Sequence, residues 1–142
     1  MTARFTVYSL LVFGVFAFVV GCDKYALDTD WRSGDYRLIE IDARGQMCLI
    51  DMRGGSDDLV RPTVFSIGAD ERYIVVAQHP ATNAFGEFDR SITHYFVVER
   101  TAGASPTDPT KDVRGPLSKE EFERLTTSLS LPKFSKTLDD WK

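Results

Sequence analysis

The reactive side chains of this 142-residue chain are few: two histidines, His79 and His94, and two cysteines, Cys22 and Cys48. His79 closes the run "RYIVVAQH" and His94 lies in "SITHYFVVE", so a hairpin between these runs places both imidazoles at its loop end. Glu87 and Asp89 sit on the connecting segment, which suggests a metal site. Such a site needs three or four well-placed ligands, however, and neither H-x-x-x-H nor C-x-x-C spacing accompanies the pair. A histidine base needs a nucleophile or activated water within about 3 Å and usually an orienting carboxylate. Ser91 is near His94 in sequence only, and no G-x-S-x-G elbow is present. The expectation is two strand-end histidines making surface hydrogen bonds, with no catalytic, cofactor-binding or metal residue assigned. "GGSDD", ending in Asp57-Asp58, lacks the Lys and helix of a phosphate loop and the spacing of an EF-hand, and reads as a solvated turn.

Cys22 is different because its surroundings ask for chemistry. Arg4 precedes an uncharged run from Phe5 to Val20, short for a spanning helix and suited to a signal-peptide core. The run ends on Val19-Val20-Gly21-Cys22, which resembles the lipobox of bacterial lipoproteins. The resemblance implies a diacylglyceryl group on the Cys22 thiol, cleavage before Cys22 and acylation of the new amino terminus. A thiolate is the nucleophile that can accept the lipid, and small residues before it give a membrane peptidase access to the backbone. Two or three acyl chains anchor stably where one does not. Asp23 resembles an inner-membrane retention signal, which implies the periplasmic face of that membrane in a Gram-negative envelope. Cys48, inside "QMCLIDM", is left without a disulfide partner and reads as a buried, inert thiol.

Loss of residues 1–21 leaves 121 of the 142 residues, one domain's worth, and moves the formal charge from −4 to −5 as Arg4 departs. An acidic chain without clustered Lys and Arg has no electrostatic footprint for nucleic acid. The expected organisation is a removed signal at 1–21, a polar tether at 22–34 with Trp31 docking first, and a globular domain at 35–142.

Strand signals follow in series: "DYRLIEID", "QMCLIDM", "LVRPTVFSIG", "RYIVVAQH" and "SITHYFVVE". Pro62 implies an edge or bulge in the third, since proline cannot donate to a ladder. Connections of 5 to 14 residues suit antiparallel neighbours. Ile41-Asp42-Ala43-Arg44-Gly45 and Ile50-Asp51-Met52-Arg53-Gly54 read as two similar turns. In "GPLSKEEFERLTTSL", Ser118 and Glu121 have capping-box spacing, Leu117 and Phe122 have staple spacing, and Phe122, Leu125 and Leu129 form a stripe. Pro132 closes this helix, and 132–142 is expected either to dock through Phe134, Leu138 and Trp141 or to fray. The fold class is thus α+β, an antiparallel meander of about five strands with one C-terminal helix packed on one face. Tyr73, Val75, Phe96, Val98, Phe122, Leu125 and Leu129 are the expected core.

The lipobox, "ERYIVVAQHP", "HYFVVE" and "GPLSKEEFERL" together resemble a family of uncharacterised small bacterial lipoproteins, over most of residues 22–131. That resemblance implies no particular activity. The expected function is a membrane-anchored, non-enzymatic envelope module that binds a protein or wall component through loops 80–91 and 100–116, with an immunity or inhibitor role as a variant. The competing expectation is a small periplasmic hydrolase using His79 or His94.

Overall fold

A computed structural model of the chain describes residues 29–41, 46–53, 58–83, 87–103 and 108–138. The signal at 1–21, Cys22 and Asp23 lie outside the described residues, as do Asp57, Phe85 and Trp141.

The first sheet contains β1 (Thr29–Ser33), β2 (Tyr36–Glu40), β3 (Met47–Asp51) and β4 (Asp58–Val60), in that spatial order. The second is built from β5 (Val64–Ala69), β6 (Tyr73–Gln78), β7 (His94–Glu99), β8 (Val113–Leu117) and β9 (Lys136–Thr137), in the order β8-β7-β6-β5-β9. Every pairing is antiparallel. Among the described residues one α-helix, α1 (Lys119–Leu129), follows β8. The α+β class, the antiparallel pairing and the C-terminal helix agree with the sequence reading. Instead of one meander of about five strands, the chain forms two sheets that share a core.

Pro62 is where they divide. The run "LVRPTVFSIG" is two strands, β4 ending at Val60 and β5 starting at Val64. Proline has no N–H to give a ladder, so pairing stops there and the chain changes sheet. Gln78 secures the crossing: its side-chain amide donates to the carbonyls of Arg61 and Pro62, each at 2.7 Å.

The shared core takes Tyr36, Leu38, Met47 and Leu49 from the first sheet and Val64, Ile67, Ile74, Val76 and Val98 from the second. On the far side of the second sheet, Tyr73, Val75, Val97 and Leu131 pack with Phe122, Leu125 and Leu129 of the helix stripe. The layers are therefore sheet, sheet, helix. All six residues of β6 are buried, which explains why "YIVVA" shows no alternation: both of its faces are covered. Each fully buried valine or isoleucine there contributes on the order of 1.5–3 kcal/mol. Register and burial both correct the expected core, in which Phe96, Phe122, Leu125 and Leu129 are only partly buried. Val97 stands opposite Val75, whereas Phe96 and Val98 stand opposite Val76 and Ile74, so the seven expected residues divide between two cores.

The helix begins as its sequence dictates. Ser118 Oγ accepts from Glu121 N at 3.2 Å, and Glu121 Oε2 accepts from Ser118 N at 2.7 Å. Ser130, in the left-handed region at φ 54°, ends it. The following segment crosses tightly over β5: a Cβ on Gly68 would lie 2.1 Å from the Lys133 carbonyl oxygen.

Three strands stand where sequence suggested none. The 22–34 stretch, expected to be tether, contains β1, so the domain is under way by Thr29. Loop 100–116 narrows because Pro109–Asp112 form a 3-10 turn and β8 begins at Val113. The C-terminal tail adds β9. All three are sheet edges, where one paired side suffices and no apolar alternation is required. An edge tolerates Pro116 for the same reason.

Candidate functional site

Of the residues singled out for chemistry, His79, Glu87, Asp89 and Ser91 lie between β6 and β7. His79 is only 3% exposed, which corrects the expectation of a surface hydrogen-bonder. Its backbone N–H donates to Thr63 O at 3.3 Å, and Thr63 Oγ1 donates to His79 O. These bonds draw the residue inward beside the crossing at Pro62. The ring lies between two aromatics: Phe65 at 4.3 Å between centroids and 12° between planes, Phe88 at 6.0 Å and 5°. Nδ1 is 2.8 Å from Ile92 O. A carbonyl only accepts, so Nδ1 carries a hydrogen in this bond. Nε2 is buried and has no hydrogen-bond partner among the described residues.

Loop 80–91 folds back on itself. Ala81 and Phe88 form an isolated bridge, Thr82 N donates to Glu87 O at 2.7 Å, and Asp89 N donates to Pro80 O at 3.0 Å. Asp89 Oδ1 accepts from both Ser91 Oγ and Ser91 N, at 2.6 and 2.8 Å, and these bonds hold its carboxyl below the usual carboxylate range. Glu87 accepts from Asn83 Nδ2 at 2.6 Å. The Arg90 guanidinium stands 5.4 Å from the Phe88 ring centroid. Thr82, Glu87, Phe88, Asp89, Arg90 and Ser91 line an open depression of about 640 Å³.

His94 is not drawn into this group. It pairs with Gln78 across the β6–β7 ladder, one residue out of step with His79, and neighbouring residues of a strand point to opposite faces. Ser91 Oγ and N both donate to Asp89 Oδ1. Among the described residues no group of three or more His, Cys, Asp or Glu is placed to hold a metal ion. Cys48 is fully buried, and its thiol is pushed up to about 12 by burial, with the Asp58 carboxylate adding to the effect.

A second constellation, which sequence reasoning missed, occupies the opposite end of β6 and β7. Arg53 Nε lies 3.0 and 3.1 Å from the two Asp51 oxygens, and its Nη2 lies 2.6 Å from Oδ2. The same guanidinium donates to Tyr36 Oη at 2.8 Å, to Thr101 O, and to Gly103 O at 3.3 Å. Arg100 answers from the other sheet, donating to Ser33 Oγ at 2.8 Å and Asp70 O at 2.6 Å. Both guanidiniums lie over the Tyr36 ring, at 5.2 and 5.5 Å from its centroid. Gly34 makes room for this: at φ +60°, its Cβ would sit 2.8 Å from Arg100 Nη2. Burial works against the Asp51 charge, but the bonds from Arg53 outweigh it and lower that carboxyl's pKa, while Asp51 holds Arg53 further above its already high value. Both carboxylate oxygens are engaged, and the cluster ties the two sheets together. The D-x-R of Asp51-Met52-Arg53 was the available signal.

A family model described as "Protein of unknown function (DUF3997)" matches residues 33–140. The chain belongs to this family. Its span takes in β2 to β9, both constellations and the helix, while Cys22 lies upstream. No curated protein and no solved structure matches the chain. Among the described residues no helix is long and apolar enough to cross a membrane.

Proposed function

We propose that this family member is an exported lipoprotein, cleaved before Cys22, held to the envelope by acyl chains on that residue, and acting by binding. Support for the anchor comes from the apolar run and Val19-Val20-Gly21-Cys22. Asp23 favours the periplasmic face of an inner membrane. Support for a binding role comes from a single observation, the setting of His79. Its ring is covered by Phe65 and Phe88, its Nδ1 hydrogen is committed to Ile92 O, and it is withheld from substrate. A general base must reach the proton it removes.

Loops 80–91 and 100–116 do not serve one ligand in this reading. The first enters β7 and the second leaves its far end, so a partner engages one of them. We favour 80–91, where Phe88, Arg90 and Asp89 offer a ring, a cation and a carboxylate around an open depression. An envelope protein or wall fragment fits that mixed chemistry, including the target of an immunity or inhibitor lipoprotein. The competing reading, a small hydrolase using His79 or His94, draws its support from the unpartnered Nε2.

Labelling cells with an alkynyl fatty acid tests the anchor: wild type should take the label and Cys22→Ser should not. Equal labelling of both refutes it. Capture of envelope components by the anchored chain, compared with Phe88→Ala/Arg90→Ala, tests the loop. Identical capture by both removes the loop from the binding role.

A further inference from the structure

The two sheets meet with their ends in step. At one end Arg53 and Arg100 bind across them, joining Tyr36, Ser33 and Asp51 to Thr101 and Asp70. At the other, Gln78 holds the crossing at Arg61 and Pro62. In the β1–β2 ladder Ser33 pairs with Tyr36 at the Arg53 end, while Thr29 pairs with Ile39. Thr29 therefore starts β1 at the crossing end. His94 pairs with Gln78 there, so loop 80–91 leaves and re-enters the second sheet at that same end.

On the reading that Cys22 carries lipid, the seven steps from Cys22 to Thr29 reach at most roughly 23 Å at about 3.3 Å each. A strand as long as β6 measures about 20 Å. With the Arg53 end against the bilayer, Thr29 would stand a strand's length away, and the connection would have to be drawn almost straight. With the crossing end against the bilayer it need not be, and chain entropy favours that orientation. Loop 80–91 is then presented to the membrane surface.

The loop carries both signs of charge around one opening. Glu87, Asp89 and Arg90 line the depression with Phe88, and the exposed Arg90 stands over the Phe88 ring. Ile92 donates its N–H to Asp89 O at 3.3 Å and leaves its side chain 45% exposed beside them. Guanidinium pairs with phosphate, and ammonium pairs with carboxylate or a ring face. A zwitterionic phospholipid such as phosphatidylethanolamine carries both ions on one headgroup. A purely anionic headgroup fits less well. The described part of the loop has two carboxylates to one cation, and α1 opens at the same end with Glu120 and Glu121 in its first turn.

We propose that loop 80–91 binds the zwitterionic headgroup of a bilayer phospholipid, with the phosphate on Arg90 and the ammonium beside Glu87 and Asp89. The orientation rests on the lipid anchor at Cys22; the charge pairing does not.

The full chain carrying Cys22→Ser, held in dodecyl maltoside, tests the pairing without that anchor. Glycerophosphoethanolamine should shift the NMR signals of Phe88, Arg90 and Ile92 saturably. Arg90→Ala should weaken its binding by about fivefold, and Arg72→Ala, at the far end of β6, should not. Glycerol 3-phosphate, which lacks the ammonium, should bind about fivefold more weakly. Equal affinity for the two compounds overturns the proposal. Absence of a saturable shift overturns it too, and assigns the loop to a protein if Phe88→Ala/Arg90→Ala still abolishes envelope capture. Vesicles of phosphatidylethanolamine and phosphatidylcholine test the orientation, using the chain lipidated on Cys22 in a Cys48→Ser background. Headgroup spin labels should quench a fluorophore on Ile92→Cys about threefold more than one on Met52→Cys, since about 20 Å of strand separates the two ends. Equal quenching overturns the proposed orientation. Mass spectrometry that finds no lipid on Cys22 refutes the anchor instead, and the titration still decides the headgroup pairing.

Discussion

Two polar constellations sit at opposite ends of the same central strands, and they are built on opposite principles. At the Arg53 end, each oxygen of Asp51 is engaged, and the guanidinium binds carboxylate, phenol and carbonyl together. At the His79 end, an imidazole is buried between two rings with one nitrogen bonded and the other orphaned. Buried ions persist only when paired and hydrogen-bonded, whereas one missing bond at a buried ring nitrogen costs about 1–3 kcal/mol. The saturated end fixes how the two sheets meet. The unsaturated end carries the longer exposed loop, with aromatic and charged groups around a depression.

The sharpest way to break this comparison is to unpair the saturated end. Arg53→Met leaves Asp51 buried at 4% exposure with its charge uncompensated, and also strips Tyr36 Oη and Thr101 O of a donor. Removal of one partner from a buried ion pair costs about 3–5 kcal/mol. Chemical denaturation should show a loss of that size, and Asp51→Leu/Arg53→Met should recover part of it. A loss below about 1 kcal/mol would mean the pair behaves as a surface ion pair and the two ends do not differ.

Acid should act on the same end. The Asp51 pKa is lowered in the folded state because the bonds from Arg53 outweigh the opposing effect of burial. Its stabilisation is therefore present above the ordinary carboxylate pKa of about 3.9 and is lost as pH falls through the lower folded value. The difference in stability between wild type and Asp51→Leu/Arg53→Met should shrink as pH drops below about 4. A constant difference from pH 7 to pH 3 would show that Asp51 does not supply the linkage.

How much of this was legible in the sequence depends on what each residue needs from its neighbours. The helix could be read because Ser118, Glu121, Leu117 and Phe122 act within a few residues of one another. The central strands could be read because β-branched runs such as Tyr73–Val76 have few other uses. The edge strands could not, since Thr29–Ser33 and Val113–Leu117 hold their places by backbone pairing. Division into two sheets was only hinted at by Pro62, whose effect depends on where Thr63 and Gln78 find partners. The constellations were the least legible. Arg53 finds Thr101 at a separation of 48 residues, and His79 became buried through Phe65, Phe88 and Thr63, none of which is a conspicuous chemical neighbour in sequence.

The His79 end should respond more weakly. Phe88 is half-buried and covers one face of the imidazole at 6.0 Å. Phe88→Ala removes that contact but also admits water towards Nε2, so the loss should be near 1–2 kcal/mol, short of the roughly 3–5 kcal/mol of a fully buried Phe→Ala change. Thermal or chemical unfolding checks the size. A loss above about 3 kcal/mol would make loop 80–91 part of the core and weaken its reading as a contact surface.

The smallest effect is expected where sequence reasoning placed the catalytic alternative. His79→Leu keeps an apolar body between Phe65 and Phe88. It gives up the Nδ1 bond to Ile92 O, worth about 0.5–1.5 kcal/mol, and it also removes a buried ring nitrogen whose missing bond costs about 1–3 kcal/mol. Ile92 is 45% exposed, so water can take the place of the lost donor at its carbonyl. The terms oppose each other, and stability should stay within about 1 kcal/mol of wild type. His79→Gln should fall lower, because it buries an amide with more polar hydrogens than the site can satisfy. If His79→Leu instead destabilises by about 3 kcal/mol, comparable with Arg53→Met, then Nε2 has a partner in solution. The His79 end would then be as saturated as the other, and the contrast between them would disappear.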